Sequence, residues 1–363
     1  MLKVAIATGG SGGHIFPAVS VAEELKRQFE NVDIIFIGSH VGIEEDVLTN
    51  YDYPLYKIDV RRFNRYFTYK NLILPFFIGK STLQSVVILQ KHKCDLLIGF
   101  GGFSAGVAVL AAKLLSIPIF LQEQNSYPGL VTRKTACLST KIFLGNFMAK
   151  KCLKKYSEKL IYSGNPLRKL EQIPKLKALK KLGLQNKNTI FVYGGSQGSM
   201  PLNKFLAEII NDLLIKDIQI IWQTGEKENK ILKNKFGQNE SVLIKPFFTQ
   251  MSYVYSACDL VVCRAGAISI AEAAHFGLPA IIIPFPYAAD DHQLKNAQLL
   301  EDKKAAFVLI EDNLTADLLK QKIIDLLASY QQRDTLSNNI KKLSIGNSSE
   351  IIVNEIKRSL GKI

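Results

Sequence analysis

No two cysteines of this chain stand in a CxxC arrangement, and the five present, Cys94, Cys137, Cys152, Cys258 and Cys263, are odd in number. Neither a disulfide framework nor a cysteine-ligated zinc site is indicated, which favours a reducing compartment. No stretch supplies the ~18 uncharged apolar residues that a membrane-spanning helix needs. The longest candidate, Ala105 to Leu121, is interrupted by Lys113 and Pro118. The apolar run at the N-terminus is too short for a signal peptide, so none is expected. The dinucleotide fingerprint GxGxxG fails because Ile15 stands where its third glycine belongs, and the Walker pattern fails for want of Gly-Lys-Ser/Thr. No DxD pair of carboxylates stands in a loop suited to a metal.

What is present is globular. Hydrophobic residues make 47% of the 363 and charged residues 21%, a length that suits two ordinary domains. With 46 Lys and Arg against 32 Asp and Glu, the formal net charge is +14, which attracts polyanions or anionic lipid. No nucleic-acid motif or aromatic stacking platform accompanies the charge, so no nucleic-acid partner is expected.

Apolar runs alternate with helix-length segments: Val4–Ala7, Ile34–Ile37, Leu96–Ile98, Ile119–Leu121, Lys141–Leu144, Ile190–Val192, Ile218–Trp222, Leu260–Cys263 and Ala280–Ile283. Strands apolar on both faces belong to parallel sheets covered by helices, so the fold class is α/β. A weak repeat divides it, since Gly9-Gly10-Ser11-Gly12-Gly13 and Gly194-Gly195-Ser196-Gln197-Gly198 each close a strand. The sequence places the domains at 1–164 and 165–346, with the terminal helix, about residues 347–363, able to join either.

GxSxG occurs three times, beginning at Gly9, Gly102 and Gly194. A serine hydrolase would need one of them as a nucleophile elbow, with Asp259 or Asp290 and His292 completing the triad. An elbow on the first strand is misplaced for that fold. The alternative is that the glycines bring backbone N–H groups up to an anion at a helix N-terminus. His14 lies in the first turn of the first such helix, where the dipole disfavours an imidazolium and suits a general base. Capping or packing is the simpler role for it. In the second half, Val261 to Cys263 reads as a buried strand, a helix starts near Ala267, and Gly277 and Pro279 end it. Glu272 sits about one turn in, where a carboxylate can bind a ribose diol or simply complement the dipole.

Taken in order, GGSGGHIFPA, Gly99-Phe100-Gly101-Gly102-Phe103, Gln124-Asn125, Gly164-Asn165-Pro166-Leu167-Arg168, GGSQGS and CRAGA…E…GLP resemble the motif set of the MurG family within glycosyltransferase family 28. The likeness runs from residue 4 to about 300. It implies two Rossmann-like domains facing across a cleft (GT-B), no cofactor, and inverting transfer of N-acetylglucosamine from UDP-N-acetylglucosamine to undecaprenyl-linked muramyl-pentapeptide in peptidoglycan synthesis. The first domain would face acceptor and membrane, and the second would bind the donor. The resemblance further implies that Ser196 and the helix start at Ala267, Ile268, Ser269, Ile270 and Ala271 hold the diphosphate, that Glu272 takes the ribose hydroxyls, and that backbone near Phe248 reads uracil. Asn125, Arg168, Gln293 and the loop Ser11, Gly12, Gly13 would also contact the donor. His14 is the expected base, oriented by Glu123, in metal-independent catalysis. The family more usually has histidine where this chain has Gln122, a departure from the motif. A different lipid acceptor, a UDP-sugar epimerase and a non-catalytic sensor are the competing readings.

The stretch Arg61-Arg62-Phe63-Asn64-Arg65-Tyr66-Phe67, continuing through Lys70 to Lys80, mixes cations with bulky apolar groups. It suits an anionic membrane surface, and the resemblance implies a peripheral position on the cytoplasmic face of the cell membrane; burial in the first domain's core is the competing reading.

Overall fold

A computed structural model describes residues 1–40, 44–60 and 74–361. The cationic part of the expected membrane stretch, Arg61 to Ile73, lies outside the described residues. The chain divides into two compact units, Met1–Arg168 with Asn347–Ile363, and Lys169–Gly346.

The first unit is built on a parallel sheet of seven strands: β1 (Leu2–Ala7), β2 (Val32–Ser39), β3 (Leu55–Ile58), β4 (Leu96–Gly99), β5 (Ile119–Glu123), β6 (Lys141–Leu144) and β7 (Leu160–Tyr162). Their order is β3-β2-β1-β4-β5-β6-β7. Both faces of β1 are buried, as its uniform apolarity demands. Val4 and Ile6 pack beneath the helices Gly12–Gln28 and Ser348–Ser359, while Ala5 and Ala7 join the cluster under the helices Leu74–His92 and Gly102–Leu114. The terminal helix belongs here because Ile352, Val353 and Ile356, at helical spacing, are fully buried in the cluster that holds Ile15, Val19 and Ala22. Each such side chain contributes roughly 2 kcal/mol of apolar burial.

The division falls after Arg168 rather than near Asn165 because the intervening residues are bonded into the first unit. Asn165 accepts from Gln122 Nε2 (3.2 Å) and donates to the Gln124 carbonyl (3.1 Å), the Leu167 carbonyl accepts from Ser20 Oγ (2.6 Å), and the Arg168 guanidinium lies 4.9 Å from the Phe16 ring centre.

In the second unit, β8 (Asn188–Tyr193), β9 (Ile218–Gln223), β10 (Val242–Lys245), β11 (Leu260–Cys263), β12 (Ala280–Ile282) and β13 (Phe307–Val308) form a parallel sheet in the order β10-β9-β8-β11-β12-β13. Ile190 and Val192 face the cluster of the helices Met200–Ile215 and Ala316–Ala328. Phe191 and Tyr193 face that of Met251–Ala257 and Ala267–Phe276. Strands β3, β7, β10 and β13, absent from the sequence reading, are the four outermost strands of the two sheets. In each sheet the order reverses beside the first strand, between β1 and β4 and between β8 and β11. Such switch points leave a crevice at the strands' C-terminal ends, where open α/β sheets bind ligands.

Candidate active site

Both glycine-serine loops sit at these switch points. In the first unit, Ser11 caps the helix Gly12–Gln28 with extended backbone, and its hydroxyl lies 3.0 Å from His14 Nδ1. Gly12 and Gly13 are the first helical residues. The loop after β1 interlocks with the loop after β4: a Cβ on Gly102 (φ +80°) would come 2.5 Å from Gly9 Cα, and one on Gly101 would come 3.0 Å from His14 Nε2. Only glycine permits this approach, and it leaves the half-buried imidazole lodged between two backbone turns.

Glu123, expected to orient His14, is engaged with its own loop. This buried carboxylate accepts from the Asn125 amide (3.0 Å), the Asn125 side chain (3.2 Å) and the Gly129 amide (2.9 Å), so it anchors the loop that presents Asn125. The partner that the structure sets at His14 Nδ1 is Ser11. Gln122 is buried in an amide network, accepting from Gln124 (2.6 Å) and donating to Asn165, while Gln124 also donates to the Phe100 carbonyl (2.9 Å). The network ties the ends of β4 and β5 together, which is a scaffolding role for position 122.

The hydrolase constellation does not form. Ser104 is buried and donates to the Thr8 carbonyl (2.7 Å). Asp259 pairs with Lys175 (2.7 Å), and His292 Nδ1 meets the Ala289 carbonyl (2.7 Å). Among the described residues, no group of three or more His, Cys, Asp or Glu could hold a metal ion.

In the second unit, the helix Ala267–Phe276 starts at the C-terminal end of β11, capped by Gly266 and stopped by Gly277 at φ 63°. Its first-turn N–H groups, on Ala267, Ile268 and Ser269, lack intrahelical acceptors and point out of the helix end. Ile270 is the first to bond back, to the Gly266 carbonyl (3.0 Å), and Ala271 follows it. Ser196, partly exposed, lies in the neighbouring loop after β8. Glu272 is buried on the same helix and accepts from Tyr255 Oη (2.8 Å). The Phe248 amide donates to Gln223 Oε1 (3.0 Å), whose Nε2 donates in turn to the Gly195 carbonyl (3.0 Å). Gln223 therefore couples the glycine loop to the segment expected to read uracil. Gln293 Oε1 accepts from the Phe285 amide (3.0 Å).

The sequence reading also missed Arg264. This buried cation donates to Ser199 Oγ (2.7 Å) and to the carbonyls of Ile283 (3.3 Å) and Pro284 (3.4 Å), and forms an ion pair with Glu311. Gln223 and Arg264 share one signal: a polar residue directly after a run of apolar ones, Ile220–Trp222 and Leu260–Cys263, at the C-terminal end of a strand.

Residues 4–144 match the glycosyltransferase family 28 N-terminal domain and residues 189–351 the family 28 C-terminal domain. The chain is 36% identical over 358 residues to a UDP-N-acetylglucosamine–N-acetylmuramyl-(pentapeptide) pyrophosphoryl-undecaprenol N-acetylglucosamine transferase of Flavobacterium psychrophilum, covering 98% of this chain and 96% of that one. This chain belongs to glycosyltransferase family 28. A second family member of the same description, from Halalkalibacterium halodurans, is 33% identical over 98% of this chain and 100% of its own length. The crystal structure of Acinetobacter baumannii MurG superimposes with a TM-score of 0.75 at 26% identity, covering 99% of this chain and all of that one. The family's two-unit α/β architecture, GT-B, is thus that of this chain.

Proposed function

We propose that this chain moves N-acetylglucosamine from UDP-N-acetylglucosamine to undecaprenyl-diphospho-N-acetylmuramoyl-pentapeptide, with inversion. The observation that carries the reading is the second unit's switch point, where the glycine loop 194–198 and the open end of the helix Ala267–Phe276 adjoin, with a buried carboxylate on the same helix. Ser196 and the first-turn N–H groups hold the diphosphate, Glu272 takes the ribose diol, and the segment at Phe248, steadied by Gln223, reads the base. Gln293 and, from the first unit, Asn125, Arg168 and the loop Ser11–Gly13 complete the donor contacts. His14 accepts the proton of the acceptor hydroxyl as that oxygen attacks the anomeric carbon. The bond to UDP breaks, and its charge is taken up by the helix end, Ser196 and Arg168. Purified protein given labelled UDP-N-acetylglucosamine and the muramyl-pentapeptide lipid is expected to yield the β-linked disaccharide lipid, with turnover retained in excess chelator. Release of an epimerised sugar nucleotide without transfer would overturn the assignment, and loss of turnover on chelation would overturn the metal-free step.

A membrane-bound acceptor calls for a membrane-facing surface, and the helix Leu74–His92 supplies an unusual one. Its inward side carries Ser81 and Ser85, whose hydroxyls bond to the carbonyls of Asp59 (2.6 Å) and Ser81 (2.9 Å). Its outward side carries Phe76, Leu83 and Val87, exposed to 71, 65 and 63%. Apolar groups at spacings of seven and four line one stripe, and Lys80 and Lys91 are exposed on the same helix. No helix among the described residues is long and apolar enough to cross a membrane. We infer a peripheral, in-plane contact with an anionic leaflet. Leu83→Glu with Val87→Glu is expected to weaken binding to phosphatidylglycerol-containing vesicles by about ten-fold or more, given roughly 1.5–3 kcal/mol for each buried aliphatic side chain. Unchanged co-sedimentation would count against the contact.

A further inference from the structure

Behind the proposed donor site lies a chain of buried hydroxyls that the reading above leaves without a task. Tyr193 is the last residue of β8, immediately before the glycine loop, and Tyr255 lies on the helix Met251–Ala257. Their phenolic oxygens are 2.9 Å apart, and Tyr255 donates to Glu272 Oε2 at 2.8 Å. At the other end, Ser269 and the Cys263 thiol are the neighbours of the Tyr193 hydroxyl. Thus Glu272 on one helix is linked through two tyrosines borne by other elements to the end of the strand that carries the glycine loop.

Proton counting fixes the direction of this chain. A carboxylate only accepts and a phenol has one proton, so the proton of Tyr255 is committed to Glu272 and its oxygen must accept from Tyr193. With the Tyr193 proton so committed, a neighbouring hydroxyl or thiol can only donate to its oxygen. Burial raises both phenols well above the usual tyrosine range, so neither is lost as a donor near neutral pH. Ring packing holds the hydroxyls in place: Tyr193 stacks on Phe191 at 4.3 Å and Tyr255 on Phe276 at 5.2 Å between centroids.

We propose that Tyr255, backed by Tyr193, is a positioning residue that holds the Glu272 carboxylate in the orientation that selects a nucleotide with an intact ribose diol. This rests on the donor-site reading above. A carboxylate has about four acceptor sites, so the Tyr255 bond is compatible with a diol binding to the same group. What the phenol supplies is orientation, because a carboxylate already fixed loses less freedom when the diol arrives.

The test is calorimetric binding of UDP and of 2′,3′-dideoxyuridine diphosphate to the full chain. The unaltered protein is expected to prefer UDP, and Glu272→Ala to abolish the preference. Tyr255→Phe is expected to weaken UDP binding by about ten-fold, as for a lost hydrogen bond to a charged group, while leaving the dideoxy nucleotide as it was. Tyr193→Phe, one bond further away, should do the same by about three-fold, and it serves as the second variant should Tyr255→Phe fold poorly. Equal weakening of both nucleotides by the tyrosine variants, or an undiminished preference in them while Glu272→Ala abolishes it, overturns the relay and leaves the donor site standing. A preference that survives Glu272→Ala overturns the donor-site reading, and the relay with it.

Discussion

Replacing His14 by alanine is expected to lower kcat by about 10²- to 10⁴-fold, the range of a lost general base, while UDP affinity stays as it was. The proposed reading gives the residue the acceptor's proton and leaves the uracil, ribose and diphosphate mainly to groups of the second unit. Its ring is anchored by one nitrogen, Nδ1, against Ser11 Oγ at 3.0 Å, and Nε2 lies over Gly101, where a side chain would collide with it. The Ser11 contact fixes the orientation of the ring, and with it the direction in which Nε2 points. Glu123→Ala is expected to act differently. Removing a carboxylate that holds the amides of Asn125 and Gly129 releases the loop rather than the base, so KM for the donor should rise more than kcat falls. Equal turnover of His14→Ala and unaltered protein would remove the histidine from the mechanism. A kcat loss in Glu123→Ala as large as that in His14→Ala would return the carboxylate to it.

The largest expected effect on stability is at Arg264. Arg264→Met should destabilise the second unit by about 3–5 kcal/mol, the cost of leaving one member of a buried ion pair without the other. The stranded partner is Glu311, and Ser199 with the carbonyls of Ile283 and Pro284 lose donors as well. Trp222, the single tryptophan of the chain, is fully buried in this unit, so its emission during urea unfolding reports on it alone. Adding Glu311→Leu should recover most of the stability, because removing both charges removes the uncompensated one. UDP affinity is not expected to recover, since the loop that ends at Ser199 and the loop that begins at Ile283 would still lack their common clamp. A melt of Arg264→Met that overlies the parent's would show that the pair contributes nothing net.

How much of this is written in the sequence depends on depth in the sheet. The interior strands are recognisable because both of their faces are buried and their residues are uniformly apolar, as in Val4–Ala7 or Leu260–Cys263. The outermost strands are not. β3 carries Lys57, β10 carries Lys245, β7 is three residues long and β13 two, since an edge strand needs only one apolar face and a short ladder. Glycine positions carry over well, because a turn that admits no Cβ allows one residue type. The partners of the polar side chains do not, since they are set by tertiary contacts between segments far apart in the chain. Nothing in the sequence shows that Glu123 accepts from Asn125 and Gly129, and Tyr255 has the composition of an ordinary core residue until its hydroxyl is found on Glu272.

The return of the helix Ser348–Ser359 to the first sheet bears on the order in which the protein is completed during synthesis. The apolar side of the helix Gly12–Gln28, made early, lacks its cover until Ile352, Val353 and Ile356 have left the ribosome, more than three hundred residues later. The second unit, continuous from Lys169 to Gly346, emerges whole before that. Translation order and order of completion are therefore reversed: the half made first is the half finished last.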